Sequence, residues 1–319
     1  MLGGGGAHST REGFAEAITE VAALRPKLVV LGADVTGSLF LTTFAERYPN
    51  QFISVGIAEQ NMAGLAAGLA MCGYTPVMAT YAAFCTTRAL DQIRVSICYN
   101  ALPVLIAGAH AGLSVGPDGA THQALEDIAV MRTLPRMRVF SPCDANQAYA
   151  LTRAMLLEGL SGPTYIRLGR MNVPNHTSRS EVYEGGFMPV SQGKDLTMVA
   201  TGHMLWVAIE AIRRLAKEHV GVALLNMYEI TAPDWGMLLE SVRDTRLVVT
   251  LEEHQRHGGM GSAVAEVLGE RCPAIIRSIG VNDEFGQSGA PDLVMLEAGL
   301  GVDRVCRVAM ELFRLKGEN

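Results

Sequence analysis

The chain reads as an α/β protein built from two doubly wound domains, and three observations predict this. Short β-rich runs alternate with helix-length segments through the first half, the signature of a mainly parallel sheet. The rhythm stops over 170–195, a polar, turn-rich stretch too long for an ordinary connection inside one compact domain. It then resumes to the C-terminus, and 319 residues suffice for two domains, each with its own core.

In chain order, the first four strands are expected at KLVVLGAD (27–34), TPVMAT (75–80), LPVLIAGA (102–109) and TYIRLG (164–169). The second set is expected at LTMVATG (196–202), VGVALLN (220–226), RLVVTLEE (246–253) and AIIRSIG (274–280). The resulting division is a first domain over 1–178, a linker over 179–190 and a smaller domain over 191–319. No internal repeat is visible, and the only low-complexity segment is the N-terminal glycine run.

The stretch GIAEQNMAGLAAGLAMCG (56–73) predicts a helix that is apolar on nearly all sides and therefore internal, with one carboxylate, Glu59, at its head. An acid in a first helical turn is ordinary, since it faces free N–H groups and the positive end of the macrodipole. A carboxyl at the mouth of a buried helix also loses solvent and can share a proton at neutral pH, which makes Glu59 a candidate general acid/base.

Composition narrows the function. A net charge of −6 without any basic run argues against a nucleic-acid footprint. No apolar signal core or membrane-length apolar run is present, so a soluble, cytoplasmic protein without a membrane partner is expected. The six cysteines stand singly, without CxxC spacing or clustered histidines, and read as reduced core thiols.

Three further stretches can carry chemistry. AHAGLSVGPDGATHQ (109–123) follows a strand, where α/β sheets place ligands, and carries His110, Asp118, Thr121 and His122 among glycines. Asp118-Gly119 as a turn and Thr121 as a helix N-cap would explain the glycines without explaining two imidazoles. In ATYAAFCTTRALDQIR (79–94), Tyr81 and Phe84 are either core or the walls of a pocket for a flat heteroaromatic ring. In YIRLGR, Arg167 and Arg170 end a strand, either pairing with a surface carboxylate or, if they face a cleft, forming a phosphate fork.

Together GIAEQNMAGLAAGLA, TYAAFCTTRALDQI and GPDGATHQALEDIAVMRTLP resemble the pyrimidine-binding domain of transketolase and its relatives, and residues 190–319 resemble the C-terminal domain that follows it. The resemblance implies thiamine diphosphate as cofactor. It implies that Glu59 hydrogen-bonds the cofactor's pyrimidine ring and favours its imino tautomer, whose nitrogen can take up the thiazolium proton. It further implies that Ile57 props the bent cofactor, that Tyr81 and Phe84 sandwich the ring, and that Asp34 lies near the thiazolium. His122 and Asp118 then hold sugar hydroxyls, His110 meets the reacting end, and Arg170 grips the substrate phosphate. The third pocket aromatic usual in transketolase falls at Thr87, and the usual His-Asp-Ser reads His110-Ala111-Gly112.

The Gly-Asp-Gly motif with a downstream Asn, by which such enzymes hold the diphosphate and its Mg2+ or other divalent metal, is absent from the sequence. The resemblance therefore implies the C-terminal subunit of a split transketolase, whose N-terminal partner subunit carries Gly-Asp-Gly and ligates the metal, as an α2β2 heterotetramer acting on small sugar phosphates. The alternatives are a 1-deoxyxylulose-5-phosphate synthase-like protein, a 2-oxo acid dehydrogenase β subunit, and a noncatalytic scaffold.

Overall fold

The structure is a computed structural model and describes residues 6–181 and 184–315, so that all of the N-terminal glycine run except Gly6 lies outside the described residues. The chain opens with β1 (Ala7–His8), which pairs antiparallel with β8 (Val173–Pro174). Between them a six-stranded parallel sheet forms from β2 (Leu28–Gly32), β3 (Phe52–Ser54), β4 (Thr75–Tyr81), β5 (Leu105–Ala109), β6 (Arg138–Phe140) and β7 (Thr164–Arg167). Its order is β3-β2-β4-β5-β7-β6. The order reverses between β2 and β4, the kind of point at whose carboxyl side open α/β sheets place ligands.

Every residue of β2 is buried, and alternate side chains enter different cores. Val30 joins Phe14 and Ile18 of the helix Thr10–Ala22, whereas Val29 and Leu31 join Met62 and Ala66 of the helix Glu59–Met71. Helices thus cover both faces, and the strands read as continuous apolar runs. Gly13 permits a close helix contact: a Cβ there would lie 1.9 Å from the carbonyl oxygen of Ala145.

The second sheet comprises β9 (Phe187–Ser191), β10 (Leu196–Ala200), β11 (Val222–Met227), β12 (Leu247–Gln255) and β13 (Ile275–Val281), in the order β13-β12-β10-β11-β9. Strand β9 runs antiparallel on the edge. It lies largely inside the expected linker, so the second sheet starts at Phe187 and not at 191. Its signal, FMPVS, is short and contains a proline, which an edge strand tolerates and a central one does not. Strands β3 and β6, three residues each, also escape the sequence reading because so short a run carries no periodicity.

The helix Glu59–Met71 corrects the expectation that it is internal. Gln60, Asn61, Gly64, Gly68 and Met71 are exposed, while Met62, Ala63 and Ala66 are buried. Small residues on both faces conceal which one packs. The cysteine expectation is also too broad, because Cys72 is exposed and Cys306 half-buried.

The edge strand β6 of the first sheet meets the segment that leaves β11 of the second. Ser141 N donates to the carbonyl of Tyr228, and Ile230 N to that of Val139, each at 2.8 Å. Deeper in, Arg167 Nε donates to Asp127 Oδ2 at 2.8 Å and Arg167 Nη2 to the carbonyl of Glu253 at 2.8 Å. Burial works against the Arg167 charge, but Asp127 and Glu253 more than offset it and hold the guanidinium above its ordinary pKa. Because Asp127 is wholly buried, Asp127→Ala takes from the internal cation the carboxylate it donates to and leaves Glu253 to oppose it. A loss of about 3–5 kcal/mol of stability is expected, measured by urea unfolding. A loss below about 1 kcal/mol would mean that the pair is dispensable.

Candidate functional site

The residues singled out in the sequence lie at the carboxyl ends of the parallel strands. Asp34 follows β2, Ile57 and Glu59 follow β3, Tyr81 ends β4, His110 follows β5, and Arg170 follows β7. Asp34 and His110 both adopt left-handed backbone, with φ of 60° and 55°. Such conformations in non-glycine residues concentrate where function fixes a side chain's direction.

A continuous run of contacts links these groups. Glu59 is 3% exposed and heads its helix. Arg88 Nη1 donates to both of its carboxylate oxygens, at 3.2 and 3.3 Å. The Arg88 guanidinium carbon lies 4.0 Å from the centroid of Phe84. Phe84 stacks on Tyr81 at 5.8 Å and 25°, and His122 meets both rings edge-on at 5.2 and 5.9 Å. Tyr81 lies 4.1 Å from the His110 ring. His110 Nε2 accepts from Arg11 Nη1 at 3.2 Å, and Arg11 Nη2 donates to the carbonyl of Arg170 at 3.0 Å. Arg170 reaches Asp118 Oδ2 at 3.2 Å and the carbonyl of Val115 at 2.6 Å.

Several expectations change in detail. A ring clamped between Tyr81 and Phe84 would need two van der Waals gaps, about 7 Å in all. At 5.8 Å the two rings form one stacked wall instead of a sandwich. Arg167 faces no cleft: it is buried against Asp127 and committed to carbonyls, which leaves Arg170 as the strand-end cation near solvent. Thr121 caps no helix, since the next one starts at Asp127; its hydroxyl lies 2.9 Å from His122 Nδ1. Ile57 is 74% exposed beside the head of the helix that Glu59 begins.

Sequence reasoning misses Arg11. It sits in the first turn of the helix Thr10–Ala22, where a cation opposes the macrodipole, and that mismatch is the available signal. Burial and then Arg170 lower its pKa to about 10. The same surroundings push His110 down to about 3, through burial first and then Arg11 and Arg170. His110 is therefore neutral, and because Arg11 donates to Nε2, its proton is assigned to Nδ1. Two guanidiniums and a neutral imidazole converge, with Asp118 on Arg170 and Glu12 near Arg11 opposing them, an arrangement that favours an anion.

The donor set at the other end fits the pyrimidine side of thiamine diphosphate: a buried carboxylate, a flat aromatic wall and an exposed apolar prop. Among the described residues no cluster of side chains suits a metal ion, and no helix is long and apolar enough to cross a membrane.

A stability test follows from His110. Its folded pKa lies below the ordinary value near 6.5, so the unfolded chain takes up the proton first as pH falls. The advantage of the wild-type chain over His110→Gln is full above about pH 6.5 and shrinks as pH falls toward about 3. Comparing the two chains cancels groups of opposite sign such as Glu252, which burial raises to about 7. Urea midpoints of both chains between about pH 7.5 and 5 check this, and a constant gap would contradict it.

Comparison with known proteins adds the following. Residues 7–176 match the transketolase pyrimidine binding domain, and residues 185–305 the transketolase C-terminal domain. The 6-deoxy-6-sulfo-D-fructose transketolase subunit of a Clostridium species is 35% identical, over 97% of this chain and 96% of its own. A subunit of the apulose-4-phosphate transketolase of Phocaeicola vulgatus is 34% identical, over 95% and 97%. A solved split gene transketolase, an inactive β4 tetramer, is 43% identical with a TM-score of 0.89, covering 97% of this chain and 99% of that one.

Proposed function

The chain belongs to the transketolase family, and from that premise we propose that it is the pyrimidine-side subunit of a two-polypeptide transketolase, transferring a two-carbon ketol unit from a ketose phosphate to an aldose. One observation carries this reading: a buried acid with an aromatic wall and an anion-favouring pair of arginines occupy two ends of one contact network, while the sequence lacks Gly-Asp-Gly. Thiamine diphosphate, when bound, supplies the carbon nucleophile of this chemistry.

The chain's own residues then have distinct tasks. Glu59 accepts or shares a proton at the pyrimidine, and Arg88 supplies a counter-charge for it. Tyr81 and Phe84 offer a flat face, Ile57 props the cofactor from its exposed position, and Asp34 stands near the thiazolium end. Asp118 and His122 hold sugar hydroxyls. His110, fixed as the Nδ1–H form, donates toward the reacting end without carrying charge. Arg170 and Arg11 grip the substrate phosphate, whose negative charge relieves their mutual repulsion.

The diphosphate and its divalent metal fall to a partner subunit with Gly-Asp-Gly, in an α2β2 assembly. The inactivity of the related β4 tetramer agrees with such a need. The two named relatives carry the names of different sugars, 6-deoxy-6-sulfo-D-fructose and apulose-4-phosphate, so the acceptor and donor here are read only as a class. A cytoplasmic location accords with the same reading.

Isothermal titration of the chain with thiamine diphosphate and magnesium, before and after adding the partner, tests the assembly. Tight binding or ketol transfer by the chain alone would overturn it. In the reconstituted complex Glu59→Gln should lower turnover about 100-fold to 10,000-fold. Proton exchange at the thiazolium carbon, followed by NMR in deuterated buffer, should slow with it; an unchanged rate removes Glu59 from this role. Arg170→Ala should cost about 2–4 kcal/mol of phosphate binding, read as a raised KM for phosphorylated sugars only. Equal losses on phosphorylated and unphosphorylated sugars would make the arginine structural.

A further inference from the structure

The loop 109–123 leaves the first sheet at β5, yet the second domain holds it. Ser114 N donates to Glu253 Oε1 at 2.6 Å, and Glu253 is 2% exposed at the end of β12. Three glycines of the loop have left-handed backbone: Gly112, Gly116 and Gly119, with φ of 87°, 74° and 74°. Each turns its bare α-carbon toward the second domain. A Cβ on Gly112 would meet the Glu253 carboxyl carbon at 2.4 Å, one on Gly116 the Pro291 ring at 2.8 Å, and one on Gly119 the Ser288 hydroxyl at 2.5 Å. Gln123 Nε2 ties the far end by donating to the carbonyl of Gln287 at 3.0 Å.

Turn chemistry alone requires none of these neighbours. Glycines are used here because the backbone bends left-handed and lies against another surface at the same points. The Glu253 side-chain oxygen satisfies a backbone N–H in a dry setting, where a missing partner is costly. Its main-chain carbonyl meanwhile receives Arg167 Nη2, so one residue joins the loop to the strand that ends near Arg170.

We propose that Glu253 is a positioning residue for the sugar end of the site: the second domain is the template against which the loop bearing His110, Asp118 and His122 is set. This rests on the reading of that loop as the sugar-binding element. Glu253, 2% exposed, acts through the loop: it fixes Leu113–Asp118 and through them the approach of Asp118 to Arg170.

Two substitutions separate positioning from bulk stability. Glu253→Ala removes the acceptor, whereas Glu253→Gln keeps an oxygen for Ser114 N–H. In the alanine variant, amide exchange over 110–123 should quicken about 10-fold or more. With the partner subunit and xylulose phosphate as donor, KM should rise about 10-fold to 100-fold. Thiazolium proton exchange should stay at the wild-type rate, because Glu59 sits on another element, and Glu253→Gln should restore most of both losses. Wild-type exchange and KM in Glu253→Ala would overturn the proposal, as would a loss confined to turnover. If the alanine variant does not fold, Gly112→Ala pushes on the same carboxylate from the loop side and should loosen the same amides; unchanged amides there would overturn it too. The exchange measurement needs no substrate, so it reads the brace even if the wild-type complex transfers no ketol group, which would instead count against the functional reading.

Discussion

The buried ion pair between Asp127 and Arg167 is the constraint from which the site's geometry follows. Tyr165 donates its hydroxyl to the same carboxylate oxygen at 2.7 Å, so two neighbouring side chains of β7 converge on one acid. In a low-dielectric interior such charges tolerate few arrangements. With Arg167 fixed, the chain leaving β7 is fixed as well. Ala111 N donates to the carbonyl of Leu168 at 3.1 Å, Gly169 N to Thr10 Oγ1 at 2.9 Å, and Arg11 to the carbonyl of Arg170. One buried pair thereby registers three segments far apart in sequence.

Electrostatics divides the site into two unlike ends. Around Glu59 a carboxylate is sunk at a helix head and balanced by a single half-exposed arginine. Around His110 the excess is positive, and the imidazole answers by staying neutral while Arg11 loses some of its basicity. Neighbouring aromatic rings join the two ends without charge. An elongated ligand with a flat, weakly basic head and an anionic tail, or two ligands meeting between these ends, matches that polarity.

Much of this is legible in sequence, and the misses share a cause. Strands buried on both faces announce themselves as apolar runs, and every candidate site residue ends or follows a strand of the first sheet. The edge strand β9 and the three-residue strands β3 and β6 do not, because their pairing is decided by neighbours and not by local pattern. The helix after Glu59 reads as internal because glycine and alanine on every side carry no polarity to mark the solvent face. The sequence brings Tyr81 and Phe84 together, but their spacing, and hence a wall in place of a sandwich, depends on a strand end meeting a helix start.

By itself the sequence determined the α/β class, the two sheets, the acid at the helix head and the loop with its histidines, because periodicity and residue chemistry act over a few residues. It also identified Arg167 and Arg170 as a pair of interest without telling them apart. Only the tertiary structure decided that Arg167 is an internal strut and Arg170 stays half-exposed beside Asp118, that Arg11 meets His110 and Arg88 meets Glu59, and that Glu253 of the second domain holds the loop of the first. The reason is physical: the partners that fix these charges lie between 27 and 159 residues away along the chain, and burial, which decides whether a charge is structural or available, does not exist until both domains are packed.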